Sequence, residues 1–242
     1  MDYSYILNTS LPQKDKLLAF GFSEISETKG SLVLRKEIAG GQFYAEIKLS
    51  DKNLSADVYE TATNEKYVLF NVASAQGAFV GQIRSEVQDV IEEIREKCFI
   101  CQDIKEKYLD FLHSYFNAPG DNPWGDAGAK MKCAPANGRV KGASEASLDR
   151  TYDTSIVYRC PNNKWFALVM QIKFKNLGFA SDEPVWAVNL KAENVEAITD
   201  KKSIFPAYHM NKKYWITVLL TAVTDFDKLC ELTKKSYALV QK

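Results

Sequence analysis

A short polar segment near the end of the chain carries side chains suited to binding a polyanion. Within Tyr208–Lys213 the sequence places His209, Asn211, Lys212 and Lys213. Lysine ammonium groups neutralise phosphates, and an asparagine amide can reach a base edge. Four further lysines at predicted strand ends and loops complete the candidate set: Lys173, Lys175, Lys201 and Lys202. The alternative is that these lysines only keep the protein soluble, and nothing predicts base-specific readout.

A second group with chemical potential is the CxxC pair Cys98 and Cys101. Such a pair can be a redox motif or half of a zinc site. The remaining cysteines, Cys133, Cys160 and Cys230, stand singly and form no second pair. We therefore favour buried structural cysteines over a redox or metal role. The odd count of five argues against a complete disulfide framework and predicts a reducing cytoplasm.

Acidic side chains follow one side of the clearest predicted helix, Phe79–Lys97. They are Glu86, Asp89, Glu93 and Glu96. An acidic ridge can attract metal cations, but we favour a solvated helix face.

The two histidines offer little evidence of catalysis. His113 falls within a predicted helix, where a packing or surface role is expected, and His209 has no orienting carboxylate or nucleophile identifiable by spacing. Nucleotide-binding, serine-hydrolase and zinc-protease motifs are absent from the sequence. We expect no catalytic activity and no cofactor. An enzyme or metal-binding protein acting through Cys98 and Cys101, or through His209, is the third functional hypothesis.

The elements that must position these residues begin with an N-terminal α+β region. A short helix is predicted at Leu11–Phe20, with Pro12 in its first turn and Gly21 after its end. Turn residues separate a series of strand-like runs, a pattern typical of an antiparallel meander. These runs are Phe22–Thr28, Ser31–Ile38, Phe43–Leu49, Leu54–Glu60 and Tyr67–Asn71.

The C-terminal region starts with a predicted helix at Asp103–Asn117. Its final strand, Tyr214–Leu220, is apolar on both faces, which predicts an inner strand covered on both sides. Thr224 is the predicted N-cap of a last helix. Between these elements the sequence predicts a hairpin formed by Ser155–Arg159 and Trp165–Lys175. A strand at Val185–Ala192 and a short helix at Asn194–Ile198 are predicted to follow it.

Charge is distributed unevenly along a chain whose net charge is zero. Residues 1–110 hold 13 basic and 18 acidic residues, whereas residues 155–242 hold 13 basic and 8 acidic residues. A polyanion is therefore expected to meet the C-terminal half, and a protein partner or a second copy the acidic N-terminal half. The sequence has no run of eighteen apolar residues, so no membrane span is expected.

Several C-terminal pieces together resemble the YjbR/MmcQ-like family. They are the Pro-Trp-Gly-Asp at Pro123–Asp126, Trp165–Phe174, the strand ending Asn189-Leu190-Lys191, the loop and strand Ala207–Ile216, and the terminal Ser236–Val240. The resemblance implies an α+β fold similar to that of frataxin, with a proposed double-wing DNA-binding role. The sequence departs from the family pattern across the Gly- and Pro-rich Ala118–Thr151, where the family pattern has a clearer strand pair.

From these features we expect two α+β domains, each an antiparallel sheet with flanking helices. Residues 1–100 form the N-terminal domain, and residues 101–242 form the YjbR/MmcQ-like domain. The leading expectation is a cytoplasmic DNA-binding or regulatory module that uses Tyr208–Lys213, with double-stranded DNA as the partner. The alternative is a protein-interaction or self-association module.

Overall fold

Antiparallel sheets and helices make up the chain, as the predicted α+β class requires. The computed structural model describes residues 1–25, 30–124 and 155–241. Within them the chain divides into two compact units, Met1–Gln102 and Asp103–Lys242. Cys133, most of Ala118–Thr151 and the last part of the predicted strand Phe22–Thr28 lie outside the described residues, as does the end of the Pro123–Asp126 motif.

The unit Met1–Gln102 contains the predicted meander. The elements are β1 Ser10–Pro12, α1 Lys14–Phe20, β2 Ser23–Glu24, β3 Leu32–Ile38, β4 Phe43–Leu49, β5 Leu54–Glu60, α2 Ala78–Cys98 and β6 Phe99–Cys101. Four strands pair antiparallel in the order β2-β3-β4-β5, and β1 pairs with β6 in a separate two-stranded sheet. Alternating side chains of β4 and β5 are buried, including Ala45, Ile47 and Val58, and α2 adds a buried apolar stripe.

The first predicted helix begins later than expected. Residues Ser10–Pro12 are a strand, paired with Phe99–Cys101, so Pro12 ends a strand and does not start a helix. The helix begins at Lys14. It ends as predicted at Gly21, whose φ of 118° lies in the left-handed region that glycine adopts readily.

The prediction of a strand at Tyr67–Asn71 is wrong, because Val68–Asn71 is a 3-10 helix. One side chain of α2 holds this segment: the Arg84 guanidinium donates hydrogen bonds to the carbonyls of Leu69, Phe70, Val72 and Ala75 at 2.6–3.3 Å. Carbonyls turned toward a guanidinium are not arranged to form a strand ladder.

The unit Asp103–Lys242 is built on a five-stranded antiparallel sheet. Its elements are α3 Lys105–Phe116, β7 Ile156–Arg159, β8 Trp165–Lys173, β9 Pro184–Lys191, α4 Val195–Ile198, β10 Ile204–Pro206, β11 Trp215–Leu219 and α5 Phe226–Gln241. The strand order is β10-β11-β9-β8-β7. The predicted inner position of β11 is confirmed, since it lies between β10 and β9 and residues Ile216–Leu219 are fully buried.

Helices α3 and α5 supply the core that covers one face of this sheet. Tyr108 of α3 and Leu229 of α5 lie in one buried cluster with Val188 and Val218 of the sheet. A buried hydrogen bond joins the Tyr108 hydroxyl to the Thr233 hydroxyl at 2.8 Å. The two helices are therefore joined by a polar contact as well as by apolar packing.

The predicted cap of the last helix is off by one residue. Asp225 is the cap, because its carboxylate accepts the Lys228 backbone N–H at 3.0 Å. The Thr224 hydroxyl instead donates to the Leu219 carbonyl at 2.6 Å, which fixes the end of β11. Within residues 1–25, 30–124 and 155–241, every helix is too short or too polar to cross a lipid bilayer.

Candidate nucleic-acid interface

The register of the five-stranded sheet separates the candidate residues into two groups. At one end of β9, Lys191 pairs with Trp215 of β11, and at the other end Pro184 pairs with Lys173 of β8. The seven residue steps between Lys191 and Pro184 correspond to about 23 Å of strand. The loop between β10 and β11, which carries His209, Asn211, Lys212 and Lys213, lies at the Lys191 end.

The other four lysines belong to the opposite end of the sheet. Lys173 ends β8, and Lys175 follows it. Lys201 and Lys202 precede Ser203, whose carbonyl accepts the Leu219 N–H at 2.9 Å. Leu219 pairs with Ala187, near the start of β9. The eight candidates are thus not one surface patch.

Two lysines at this far end face a carboxylate. The ammonium groups of Lys173 and Lys175 lie 3.6 and 2.5 Å from Asp182 Oδ1. The hydrogen bond from Lys175 holds the pKa of Asp182 below its usual value. A nearby carboxylate offsets part of the charge that these lysines would offer to a phosphate.

Lys201 and Lys202 lie on a turn organised by Asp200. The Asp200 carboxylate accepts the backbone N–H groups of Lys202, Ser203 and Ile204, each at 2.8 Å, and the Ser203 hydroxyl at 3.0 Å. Burial opposes ionisation of this carboxyl, but the four donors outweigh it and lower its pKa. Asp200 therefore serves as the structural anchor of the turn.

Residues Ala207–Tyr214, here named the basic loop, form a tight connection. The Ala207 N–H donates to the Trp215 carbonyl at 3.2 Å, and the Tyr214 N–H donates to the Asn211 carbonyl at 3.0 Å. The Asn211 side-chain oxygen accepts the Lys213 N–H at 3.0 Å. Asn211 holds the turn through its oxygen, so its NH2 group is the part that remains to donate to a ligand.

The exposed side chains of the basic loop combine charge with aromatic surface. Lys212 and Lys213 are exposed, and within the described part of the chain neither forms an ion pair. The Lys213 ammonium lies 5.4 Å from the centroid of the exposed Tyr214 ring. The rings of Tyr208 and His209 lie 3.8 Å apart between centroids. Aromatic rings beside cations are the features that stack on bases and neutralise phosphates.

A buried polar pair fixes the base of the basic loop. Asn189 of β9 lies opposite Thr217 of β11, and both are fully buried. The Thr217 hydroxyl donates to Asn189 Oδ1 at 2.6 Å and accepts the Tyr208 N–H at 2.9 Å. The Asn189 amide donates to the Tyr208 carbonyl at 2.7 Å. Both backbone groups of Tyr208 are therefore held by the interior of the sheet.

Reasoning from the sequence missed the role of this pair. The available signal was Asn189 at an interior position of β9 and Thr217 in the otherwise apolar β11. A polar side chain buried in a sheet needs a hydrogen-bond partner, and here the partner is the loop backbone.

The prediction that the CxxC cysteines are buried is confirmed for Cys98 and wrong for Cys101. Cys98 is buried, its thiol lies 3.6 Å from the Lys16 carbonyl, and burial raises its pKa. Cys101 is exposed at the end of β6. Cys160 and Cys230 are buried. Among the described residues, histidine, cysteine, aspartate and glutamate side chains form no group of three or more that could hold a metal ion.

The acidic ridge of α2 consists partly of paired carboxylates. Glu93 lies between Lys36 and Lys97, at 3.3 and 2.7 Å, and Glu86 accepts the Ala39 N–H at 2.6 Å. Asp89 and Glu96 are exposed, as expected of a solvated helix face, whereas Glu86 and Glu93 are half-buried and bind neighbouring elements. His113 hydrogen-bonds the Tyr158 hydroxyl at 3.2 Å.

The match to a protein-family model falls within the unit that carries the basic loop. Residues 140–239 match the model of the YjbR family. The uncharacterized protein YyaQ of Bacillus subtilis strain 168 is 28% identical over 82 residues, which cover 33% of this chain and 70% of that protein. Crystal and solution NMR structures of a Pseudomonas syringae protein are 28% and 26% identical. The match to the crystal structure covers 55% of this chain and 96% of the Pseudomonas syringae chain. The match to the NMR structure covers 56% and 90%, and each has a TM-score of 0.42.

Proposed function

We propose that the region matching the YjbR family model, residues 140–239, is a DNA-binding or regulatory module without catalytic activity. In this proposal the basic loop contacts the phosphate backbone of duplex DNA. The observation that carries it is the pair of exposed ammonium groups of Lys212 and Lys213, which face no carboxylate among the described residues.

The position of the basic loop supports this role. Since Asn189 and Thr217 fix the backbone of Tyr208, the loop is held before a ligand arrives, and less conformational entropy is lost on binding. Lysines act as point charges without the bidentate geometry of arginine. The expected binding is therefore independent of sequence and sensitive to salt.

A titration of a fluorescent DNA duplex at several salt concentrations tests the proposal. Two phosphate contacts correspond to a slope of about −1.8 in a plot of log K against log salt, and four contacts to about −3.6. Lys212→Glu with Lys213→Glu should abolish binding at low salt.

The matched control is Lys173→Glu with Lys175→Glu. It makes the same change in net charge at the far end of the sheet, where Asp182 already offsets the lysines. The control should keep most of the affinity of the wild type. Absence of wild-type binding at low salt, or an equal loss in both double variants, would refute the proposed role of the basic loop.

One observation favours the alternative, an interaction or self-association module. In the unit Met1–Gln102, Val68, Leu69, Val72 and Phe79 are 62%, 45%, 43% and 42% exposed. The Phe79 ring lies 6.0 Å from the ring of Tyr67, so the two segments are adjacent. Neighbouring exposed apolar side chains are typical of protein-interaction surfaces. We take a second copy of this chain as the partner to test first.

A further inference from the structure

A cavity of about 480 Å³ lies within the unit Asp103–Lys242, at the end of β9. Its walls come from the segment after β9, from α4 and from the last turns of α5. The side chains that matter to its chemistry are Lys191, Asn194, Ile198, Leu232, Lys235 and Leu239. The volume falls within the range of about 300–1,000 Å³ that is usual for small-molecule sites.

The lining of the cavity combines an apolar floor with cationic groups. Leu232 is buried, and Ile198 and Leu239 are half-buried. Lys191 and Lys235 also line the cavity, and in the described part of the chain neither forms an ion pair. An apolar body with a negatively charged head would match both features.

Two further polar residues, Asn194 and Glu193, indicate how much negative charge the ligand should carry. Asn194 has a left-handed φ of 58°, and its side chain forms no hydrogen bond among the described residues. Its amide NH2 can therefore donate to an anion. Glu193 also lines the cavity, so the two lysines and this carboxylate give a local charge of about +1. A single negative charge on the ligand fits better than two.

The walls are held in place without a ligand. The Ser236 hydroxyl of α5 accepts the Lys191 N–H at 2.8 Å and donates to the Phe166 carbonyl at 2.5 Å. At the end of α5, the Asn162 amide donates to the Val240 carbonyl at 2.8 Å. Since these bonds tie α5 to strand β9 and to the β7–β8 turn, the cavity is preformed.

We propose that this cavity binds a monoanionic amphiphile: an organic carboxylate with an apolar body of medium length. The apolar body lies on Leu232, Ile198 and Leu239, and the carboxylate accepts hydrogen bonds from Lys191 and Lys235. The cavity lies at the same end of β9 as the basic loop, but its lining residues are not those of the proposed DNA contact.

Calorimetric titration of the full chain with octanoate, below the concentration at which it forms micelles, tests the proposal. Octanol and acetate are the matched probes, because each retains only the apolar body or only the charged head. Octanoate should bind at least tenfold more tightly than either. Octyl phosphate, which carries more negative charge at neutral pH, should bind more weakly than octanoate.

Variants locate the site. Lys191→Gln with Lys235→Gln removes both charges and keeps a polar side chain at each position, so the affinity for octanoate should fall at least tenfold while that for octanol is unchanged. Lys228→Gln, on α5 but outside the cavity, should have no effect. The proposal is overturned if octanoate binds no more tightly than octanol. It is also overturned if the double variant leaves octanoate binding unaffected, or if Lys228→Gln reduces it equally. Tighter binding of octyl phosphate overturns the assignment of a monoanion.

Discussion

Replacement of Thr217 by valine tests whether the buried polar pair positions the basic loop. Valine keeps the shape of the side chain but has no hydroxyl. The Tyr208 N–H then loses its acceptor at 2.9 Å, and Asn189 Oδ1 loses its donor at 2.6 Å. A buried polar group left unpaired costs about 1–3 kcal/mol. Because the bond to Tyr208 is only partly buried, we expect Thr217→Val to lower the free energy of unfolding by about 2–4 kcal/mol in total.

The distribution of tryptophan makes this measurement specific. All four tryptophans, Trp124, Trp165, Trp186 and Trp215, belong to the unit Asp103–Lys242. Urea unfolding followed by tryptophan fluorescence therefore reports on the unit that contains Thr217. Hydrogen exchange at the Tyr208 amide gives a local readout, and exchange should be faster in the variant because the amide loses its acceptor.

Thr199→Val is the matched control for the same chemical change. The Thr199 hydroxyl donates to the Glu196 carbonyl at 3.3 Å in an exposed position. Its loss should change the free energy of unfolding by less than about 0.5 kcal/mol. If Thr217→Val costs no more than Thr199→Val and the exchange rate of the Tyr208 amide stays the same, the pair does not hold the basic loop.

Two further predictions concern the Asp200 turn and the exposed apolar side chains of the first unit. The pKa of Asp200 is lowered in the folded protein, so its stabilising contribution is present above the unfolded pKa of about 3.9 and is lost as pH falls through the lower folded value. Asp200→Asn should flatten this part of the stability profile, measured by urea unfolding at a series of acidic pH values, and an unchanged profile would contradict the assignment. For self-association, light scattering should show a dimer for the wild type and a monomer for Val68→Ser with Leu69→Ser. A monomeric wild type would exclude a dimer through these side chains.

Elements whose signal is local were predictable from the sequence. The alternation in Phe43–Leu49 predicts β4 with its observed bounds, and the two apolar faces of Tyr214–Leu220 predict the inner strand β11. Both patterns report burial, which is decided by side chains a few residues apart.

The elements that were mispredicted depend on distant residues. Strand Ser10–Pro12 exists because it pairs with Phe99–Cys101, nearly the whole length of the unit away in sequence. The 3-10 helix Val68–Asn71 is held by the guanidinium of Arg84, which lies on another element. A local pattern contains neither partner, so propensity alone favoured the wrong structure.

The candidate site shows the same limit. Clustered lysines in a sequence suggest one basic surface. The pairing of Lys191 with Trp215 and of Lys173 with Pro184 instead places the basic loop and the other candidate lysines at opposite ends of the sheet. Lys212 and Lys213 are exposed, form no ion pair among the described residues, and lie on a loop that the sheet interior holds. The pairing register, which the sequence does not specify directly, decides which lysines can act together.

The polar pair inside the sheet explains why a loop with few internal bonds can have a defined position. An apolar pair at Asn189 and Thr217 would pack well in β9 and β11, but it would leave the N–H and carbonyl of Tyr208 without their present partners. Buried polar groups that are fully satisfied specify one arrangement more strictly than apolar contacts do. The interior of the sheet therefore determines where Tyr208 lies, and the chain from Tyr208 to Trp215 is then short enough that the positions of Lys212 and Lys213 follow from it.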